Sequence, residues 1–235
     1  MQNQIVLNMP RRSRGMLIGQ SGAGKTTLGL ALAQTMPRPL LVADTKYSAA
    51  IAEWGEHNDA IISDHFVVPR KDEIIIWRPS PDELANPDLL DAELDAVVRQ
   101  HKICSIYIDE LYQFHKSGRA GPGIIGLYTR GREMGFTTLA GSQRPSWVSA
   151  FCLTESDQFF VMRLTLPTDR KKIGEIMGAP QVIATELPPR WLWHAKAGED
   201  PVLIKPLKLG HEKTLDKPEN TTHSITNGGN PYILL

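Results

Sequence analysis

The chain has 235 residues, and its 26 Lys and Arg balance 26 Asp and Glu, so the formal net charge is zero. Hydrophobic residues make up 41% and charged residues 22%, which is typical of a globular domain and excludes a disordered or fibrous chain. The neutral balance also excludes a strongly cationic protein that coats nucleic acid, but not a local basic patch. Cys104 and Cys152 are too few for a disulfide framework and fit a reducing compartment.

Short apolar segments alternate with amphipathic ones, which predicts an α/β fold with a mainly parallel sheet. We expect strands at 16–18, 40–43, 103–108, 136–140 and 159–164, and a late β-hairpin formed by 191–195 and 202–204. We expect helices at 26–36, 88–102, 124–134 and 168–177.

The composition divides the chain into three parts: an N-terminal extension (1–14), one domain (15–210) and a polar, flexible tail (211–235). We expect the apolar end of the tail, 232–235, to be frayed; docking on a neighbour is the alternative. An uncharged apolar stretch of the ~20 residues that a membrane span needs does not occur in the sequence. We therefore expect a soluble, cytoplasmic protein without a transmembrane segment.

The first functional motif runs from Gly19 to Thr26 and reads Gly-Gln-Ser-Gly-Ala-Gly-Lys-Thr. It fits the phosphate-loop pattern G-x-x-x-x-G-K-[ST] and lies between a predicted strand and a predicted helix. The pattern predicts that backbone N–H groups hold the phosphates of ATP, that Lys25 contacts the β- and γ-phosphates, and that the Thr26 hydroxyl ligates Mg²⁺. The predicted nucleotide-binding residues are Gly19, Gln20, Ser21, Gly22, Ala23, Gly24, Lys25, Thr26 and Thr27. The alternative is a glycine-rich turn without a ligand.

The second motif is an acidic pair, Asp109 and Glu110, at the end of the apolar strand predicted at 103–108. In an open α/β sheet, the carboxyl end of a parallel strand faces the ligand crevice. We expect Asp109 to hold Mg²⁺ and Glu110 to orient or deprotonate the attacking water. The pair favours ATP hydrolysis over phosphoryl transfer to a small acceptor; solvated acids at a strand end are the alternative. A guanine-reading N-K-x-D motif does not occur in the sequence.

The third motif is Gly131-Arg-Glu-Met-Gly-Phe-Thr-Thr-Leu-Ala-Gly-Ser-Gln-Arg-Pro145, a predicted helix end followed by a strand that closes in Gln-Arg-Pro. Gln143 at the strand tip is expected to hydrogen-bond the γ-phosphate or the attacking water. This block resembles the FtsK/HerA superfamily of DNA-pumping ATPases, and Asp44-Thr-Lys46 resembles the acidic-x-Lys element of that family. The resemblance covers roughly 15–178.

The resemblance implies a RecA-like core that acts as a ring, usually a hexamer, through which double-stranded DNA passes. It also implies an arginine that reaches the ATP of the next subunit, and Arg132 matches that position better than Arg130. The alternative for both is a cation favoured at a helix C-terminus. The short flanks make the chain similar to the genome-packaging ATPases of membrane-containing icosahedral bacterial viruses, with a portal or vertex protein as a candidate partner. A plasmid-transfer or filamentous-phage assembly ATPase is a further alternative.

Two other classes of function use the same phosphate loop: a nucleotide or small-molecule kinase, and an ATP-gated assembly protein that does not move DNA. Several side chains outside the motifs have open interpretations. Lys116 and Arg119 are either DNA contacts or part of a solvated loop, and Arg170, Lys171 and Lys172 form either a partner surface or a solvated face. We assign Trp191, Trp193 and His194 to packing. The histidines are scattered, so Mg²⁺ is the metal that we expect.

Overall fold

The computed structural model describes residues 6–100, 105–206 and 233–234. The strands are β1 (Val6–Leu7), β2 (Arg14–Ile18), β3 (Leu40–Ala43), β4 (Ile61–Ser63), β5 (Ile74–Trp77), β6 (Ser105–Ile108), β7 (His115–Lys116), β8 (Arg119–Ala120), β9 (Thr137–Ser142), β10 (Gln158–Met162), β11 (Leu192–Lys196), β12 (Val202–Ile204) and β13 (Ile233–Leu234). The α-helices are α1 (Lys25–Thr35), α2 (Ala49–Glu56), α3 (Pro81–Leu84), α4 (Pro87–Arg99), α5 (Pro122–Thr129), α6 (Ala150–Thr154), α7 (Pro167–Ile176) and α8 (Pro180–Ala184). Short 3₁₀ helices occupy Leu111–Phe114 and Pro145–Trp147.

Nine strands form one sheet in the order β12-β11-β10-β2-β9-β6-β3-β5-β4. The strands from β10 to β4 run parallel, whereas β11 and β12 add antiparallel strands beyond β10. All carboxyl ends of the parallel strands therefore lie at one edge of the sheet, which we call the carboxyl edge, and their amino ends lie at the opposite, amino edge. Strand β9 separates the strand that precedes the phosphate loop, β2, from the strand that precedes the acidic pair, β6.

Helices cover both faces of the sheet. Along β2, Met16 and Ile18 pack into one buried cluster with α4 and α5, and Leu17 packs into the other with α1 and α2. A parallel sheet that is buried on both faces consists of nearly continuous apolar strands, and β3, β5 and β6 have this pattern. The core thus fixes the register that brings the strand ends together.

Helix α5 is shorter than the helix predicted at 124–134. It begins with Pro122 in its first turn, where the buried carboxylate of Asp91 accepts hydrogen bonds from the Gly123 and Ile124 amides at 2.8 and 2.9 Å. It ends at Thr129, and the chain then turns closely against the helix end, where a Cβ at Gly131 would lie 2.2 Å from the carbonyl oxygen of Leu127. A turn rather than a helix therefore leads into β9.

The predicted parallel α/β sheet and the late hairpin are confirmed. Our sequence analysis assigned no element to residues 47–87, which contain α2, β4, β5 and α3. Strand β5 has only four residues, although it is buried and pairs with β3.

The ends of the chain differ from expectation in one respect. In place of a frayed end, Ile233–Leu234 pairs antiparallel with Val6–Leu7. The rest of the predicted tail, and the predicted helix and strand ends at 101–104, lie outside the described residues. Of the helices that the structure describes, none is both long and apolar enough to cross a bilayer.

Candidate nucleotide site

The phosphate loop connects β2 to α1 at the carboxyl edge. Its start is tied to neighbouring strands, since the Gly19 amide donates to the Ser142 carbonyl at 3.1 Å and the Gln20 amide donates to the Arg163 carbonyl at 3.0 Å. Gly22 and Gly24 have φ angles of 74° and 100°, in the left-handed region that favours glycine. The loop is therefore placed over the end of the sheet, with the N-terminus of α1 at its close, as an anion site requires.

Thr26 and Asp109 meet across this edge. The Thr26 hydroxyl donates to Asp109 Oδ1 at 3.3 Å, and the Tyr107 hydroxyl donates to the same oxygen at 2.9 Å. Tyr107 lies two residues before Asp109 on the same face of β6 and is fully buried. It orients the carboxylate, a role that our sequence analysis missed because Tyr107 was read as part of an apolar strand.

Glu110 is fully buried beside the phosphate loop. Its Oε1 accepts a hydrogen bond of 3.0 Å from the Gln143 amide at the tip of β9. The Gln143 residue itself lines the same cleft as Ser21, Lys25 and Thr26. The structure thus brings together the predicted residues of the phosphate loop, the acidic pair and the Gln-Arg-Pro tip.

Lys46 is a site residue to which our sequence analysis assigned no role. Its Nζ lies 2.6 Å from Glu110 Oε2 and 3.2 Å from Asp109 Oδ2. Neither of these oxygens has a hydrogen bond of good geometry, so Lys46 holds both by charge. Burial lowers the pKa of Lys46, but the two carboxylates outweigh burial and raise it. The signal in the sequence was its place directly after a predicted strand, in the Asp44-Thr-Lys46 element that resembles the acidic-x-Lys motif.

Lys25 is buried in the same cleft, and its pKa is lowered by burial and by the charge of Lys46. Lys25, Lys46, Asp109 and Glu110 therefore form a compact group of two cations and two carboxylates. Such buried charges are tolerated because each sign is compensated by the other.

The cleft has a volume of about 640 Å³, and its far end is apolar. Met162 and Leu192 lie opposite each other on β10 and β11 and line this end together with Leu28 and Arg190. Arg190 has a left-handed φ of 66° in the turn before β11. An apolar floor with a cation at its rim suits a planar base that extends from phosphates held by the loop.

Arg132 lies at the amino edge, in the turn that leads into β9. Its Nη1 is 3.8 Å from Asp157 Oδ1, and Asp157 also accepts hydrogen bonds from the backbone and the guanidinium of Arg14. Strand β9 has six residues and spans about 20 Å, so Arg132 cannot reach the cleft of its own chain. Arg130 is also exposed and lines a shallow apolar groove with Val98 and Met134.

The structure separates the two predicted basic regions: the first stays open to both interpretations, and the second differs from expectation. Lys116 and Arg119 belong to the β7–β8 hairpin, and Lys116 pairs with Asp88. Arg170 donates to the carbonyls of residues 164 and 165, and Lys172 donates to that of residue 148, so these two cations hold loops rather than form a solvated face or a partner surface. Lys171 is exposed and lies 3.8 Å from Glu175.

The aromatic residues of the late hairpin pack as predicted. His194 stacks on Phe160 with 4.9 Å between ring centroids, and burial lowers its pKa to about 4. Trp193 packs against the core, and Trp191 lies under the Lys205 ammonium at 5.8 Å. Among the described residues, no group of three or more His, Cys, Asp or Glu is placed to hold a metal ion.

Comparison with known proteins finds a relative in sequence and several solved structures with a similar fold. The chain is 27% identical over 178 residues to the DNA packaging ATPase P9 of Enterobacteria phage PRD1, and the match covers 72% of each protein. Its fold is similar to that of the genome packaging NTPase B204 from Sulfolobus turreted icosahedral virus 2 in complex with AMP, with a TM-score of 0.65, 14% identity, and coverage of 83% of this chain and 98% of the other. The type VII secretion ATPase EccC of Thermomonospora curvata matches with a TM-score of 0.57 and 16% identity over 85% of this chain and 26% of the other. No family model matches the chain.

Proposed function

We propose that this protein is an ATP-hydrolysing motor that translocates double-stranded DNA and packages a viral genome. Two lines support the proposal: the geometry of the nucleotide site and the similarity to P9, which is named a DNA packaging ATPase. B204, which has a similar fold, is named a genome packaging NTPase and has a solved structure in complex with ATP-γS.

The observation that most directly supports ATP hydrolysis as the reaction is the position of Glu110. Its carboxylate is fully buried, fixed by the Gln143 amide, and lies at the edge where the phosphate loop ends. A carboxylate in that position accepts a proton from an attacking water. A kinase would need an arginine-rich lid over the phosphates, whereas the described residues of the cleft include a single arginine, Arg190, at the far end.

The residues also fit a magnesium ion. The Thr26 hydroxyl lies 3.3 Å from Asp109 Oδ1, and the Lys46 ammonium beside Asp109 Oδ2 supports the view that this carboxylate attracts a cation. Hydroxyl and carboxylate oxygens are the ligands that Mg²⁺ prefers. Thr26 and Asp109 would hold Mg²⁺, which would supply positive charge to neutralise the phosphates. Lys25 then contacts the β- and γ-phosphates, and Gln143 orients the water or the γ-phosphate.

We further propose that the motor is a ring, with six subunits as the expected number. Arg132 is 59% exposed at the amino edge and lies far from its own cleft, as a residue that acts on a neighbour's ATP must. The ATPase domain spans residues 15–210. Double-stranded DNA and a portal or vertex protein are the proposed partners, in the host cytoplasm and on the virion.

The rate of ATP hydrolysis with and without double-stranded DNA tests this function. We expect DNA to stimulate the rate, and we expect Lys25→Ala to abolish turnover because the cation at the β- and γ-phosphates is lost. A requirement for a small acceptor would instead identify a kinase. A rate of ATP hydrolysis that neither DNA nor a small acceptor changes would identify an ATP-gated assembly protein. Hydrolysis by Lys25→Ala at the parent rate would contradict the phosphate-loop assignment.

A further inference from the structure

We propose that Lys46 is a positioning residue that acts as the internal counter-cation of the acidic pair. It fixes Asp109 and Glu110 in the nucleotide-free protein, and its ammonium moves away from them when a divalent cation binds. The inference rests on the proposed ATPase function and concerns a residue of the Asp44-Thr-Lys46 element, to which the sequence analysis assigned no role.

The contacts of Lys46 are those of a cation that bridges two carboxylates. Its Nζ lies within 3.2 Å of one oxygen of each acid, and both acids are at most 1% exposed. Two adjacent carboxylates without such a cation would repel each other in a medium of low dielectric. Lys46 therefore holds both groups in place before any ligand arrives.

The loop that carries Lys46 is held rigidly. The buried Asp44 carboxylate accepts hydrogen bonds from the Ser48 amide at 3.0 Å and from Arg78 Nε at 2.9 Å. Tyr47 adopts a left-handed φ of 54°, and its hydroxyl donates to the Pro79 carbonyl at 2.6 Å. The backbone is thus fixed at both sides of Lys46, while the lysine side chain is free to change its contacts.

The charge balance makes the contact exchangeable. Lys25 and Lys46 balance Asp109 and Glu110, so the group has no net charge in the state described here. A divalent cation at the acids would raise the total to +2 and repel the Lys46 ammonium. Lys46 is 29% exposed and lines the same cleft as Lys25 and Gln143, so the ammonium has open space into which to move.

The test measures Mg²⁺ binding to the full chain without nucleotide. Lys46→Met removes the charge and keeps the length of the side chain. We expect this variant to melt below the parent protein in EDTA, to recover stability on addition of Mg²⁺, and to bind Mg²⁺ more tightly by on the order of tenfold, since one competing charge is lost. The melting of the parent protein should respond much less to Mg²⁺.

Lys116→Met is the matched control, because Lys116 pairs with the exposed Asp88 at a distance from the acids. We expect its response to Mg²⁺ to equal that of the parent protein. We expect Lys46→Arg, which keeps the charge, to bind Mg²⁺ as weakly as the parent. The proposal is overturned if Lys46→Met binds Mg²⁺ no more tightly than the parent, or if Lys116→Met changes equally.

Amine labelling of the parent protein covers the case in which Lys46→Met does not fold. Mass spectrometry should show that Mg²⁺ increases the labelling of Lys46 and leaves that of Lys116 unchanged; unchanged labelling of Lys46 would overturn the proposal. Because neither experiment uses ATP or DNA, a chain that fails to hydrolyse ATP would contradict the proposed function and leave this result intact.

Discussion

The two edges of the sheet carry charged clusters of similar composition in opposite environments. At the carboxyl edge, Asp109 and Glu110 are at most 1% exposed and each contacts Lys46. At the amino edge, Asp157 is 28% exposed and Arg132 is 59% exposed. Buried carboxylates keep their positions and suit chemistry, because a buried charge that loses one cation stays uncompensated until another cation replaces it. Exposed charges can exchange partners at low cost, which suits contact with another subunit.

The largest expected effect tests whether the amino edge acts on a neighbour's carboxyl edge. Arg132→Ala should bind ATP normally and lose about 10³–10⁵-fold in hydrolysis, the range for arginines that act in trans. Arg130→Ala is the matched control from the same turn and should lose much less. Steady-state ATPase rates and nucleotide-binding titrations measure both effects. Parent-level hydrolysis by Arg132→Ala would refute the assignment.

Mixing two defective variants sharpens this test. Arg132→Ala retains an intact cleft, and Glu110→Gln retains an intact arginine, so a mixture should form some interfaces with both. We expect partial recovery of ATPase activity above that of either variant. A fluorescent label on one variant shows whether subunits exchange. With exchange demonstrated, a mixture that recovers no activity at any ratio argues against action across subunits.

The next effect separates the two acids of the carboxyl edge. Glu110→Gln keeps an oxygen that can accept from the Gln143 amide but cannot take a proton, so it should bind ATP and lose about 10²–10⁴-fold in turnover. Asp109→Asn should instead weaken Mg²⁺-dependent ATP binding. Titrations and turnover rates distinguish the two outcomes. Equal and mild losses in both variants would mean that Glu110 is only an acid at a strand end.

The smallest effect is a loss of stability at the amino edge. Burial raises the pKa of Asp157, but its bonds from Arg14 outweigh burial and lower it, so the carboxylate stabilises the fold above the unfolded pKa near 3.8 and loses this effect as the pH falls through its folded pKa. Asp157→Asn should cost about 1 kcal/mol at neutral pH, a value limited by partial exposure. The difference in melting temperature from the parent should shrink below about pH 4. A difference that is independent of pH would contradict this origin.

Several features of the site were predictable because they are local. The phosphate loop needs glycines with left-handed φ between a strand and a helix, and Gly22 and Gly24 have those angles. The acids were predictable because a polar pair after an apolar strand must lie at a strand end. Arg170 and Lys172 were misjudged, because their bonds to distant carbonyls depend on how α7 packs and not on its own pattern.

The local sequence by itself therefore determined the phosphate loop, since the contacts of its backbone N–H groups depend on backbone conformation within one turn. Only the packed sheet decided which strand ends meet. Placing β9 between β2 and β6, and β3 beside β6, brings Gln143 and Lys46 to Glu110, and the same register sends Arg132 to the opposite edge. These contacts join residues far apart in the chain, so the burial of both sheet faces selects them, and no local preference encodes that selection.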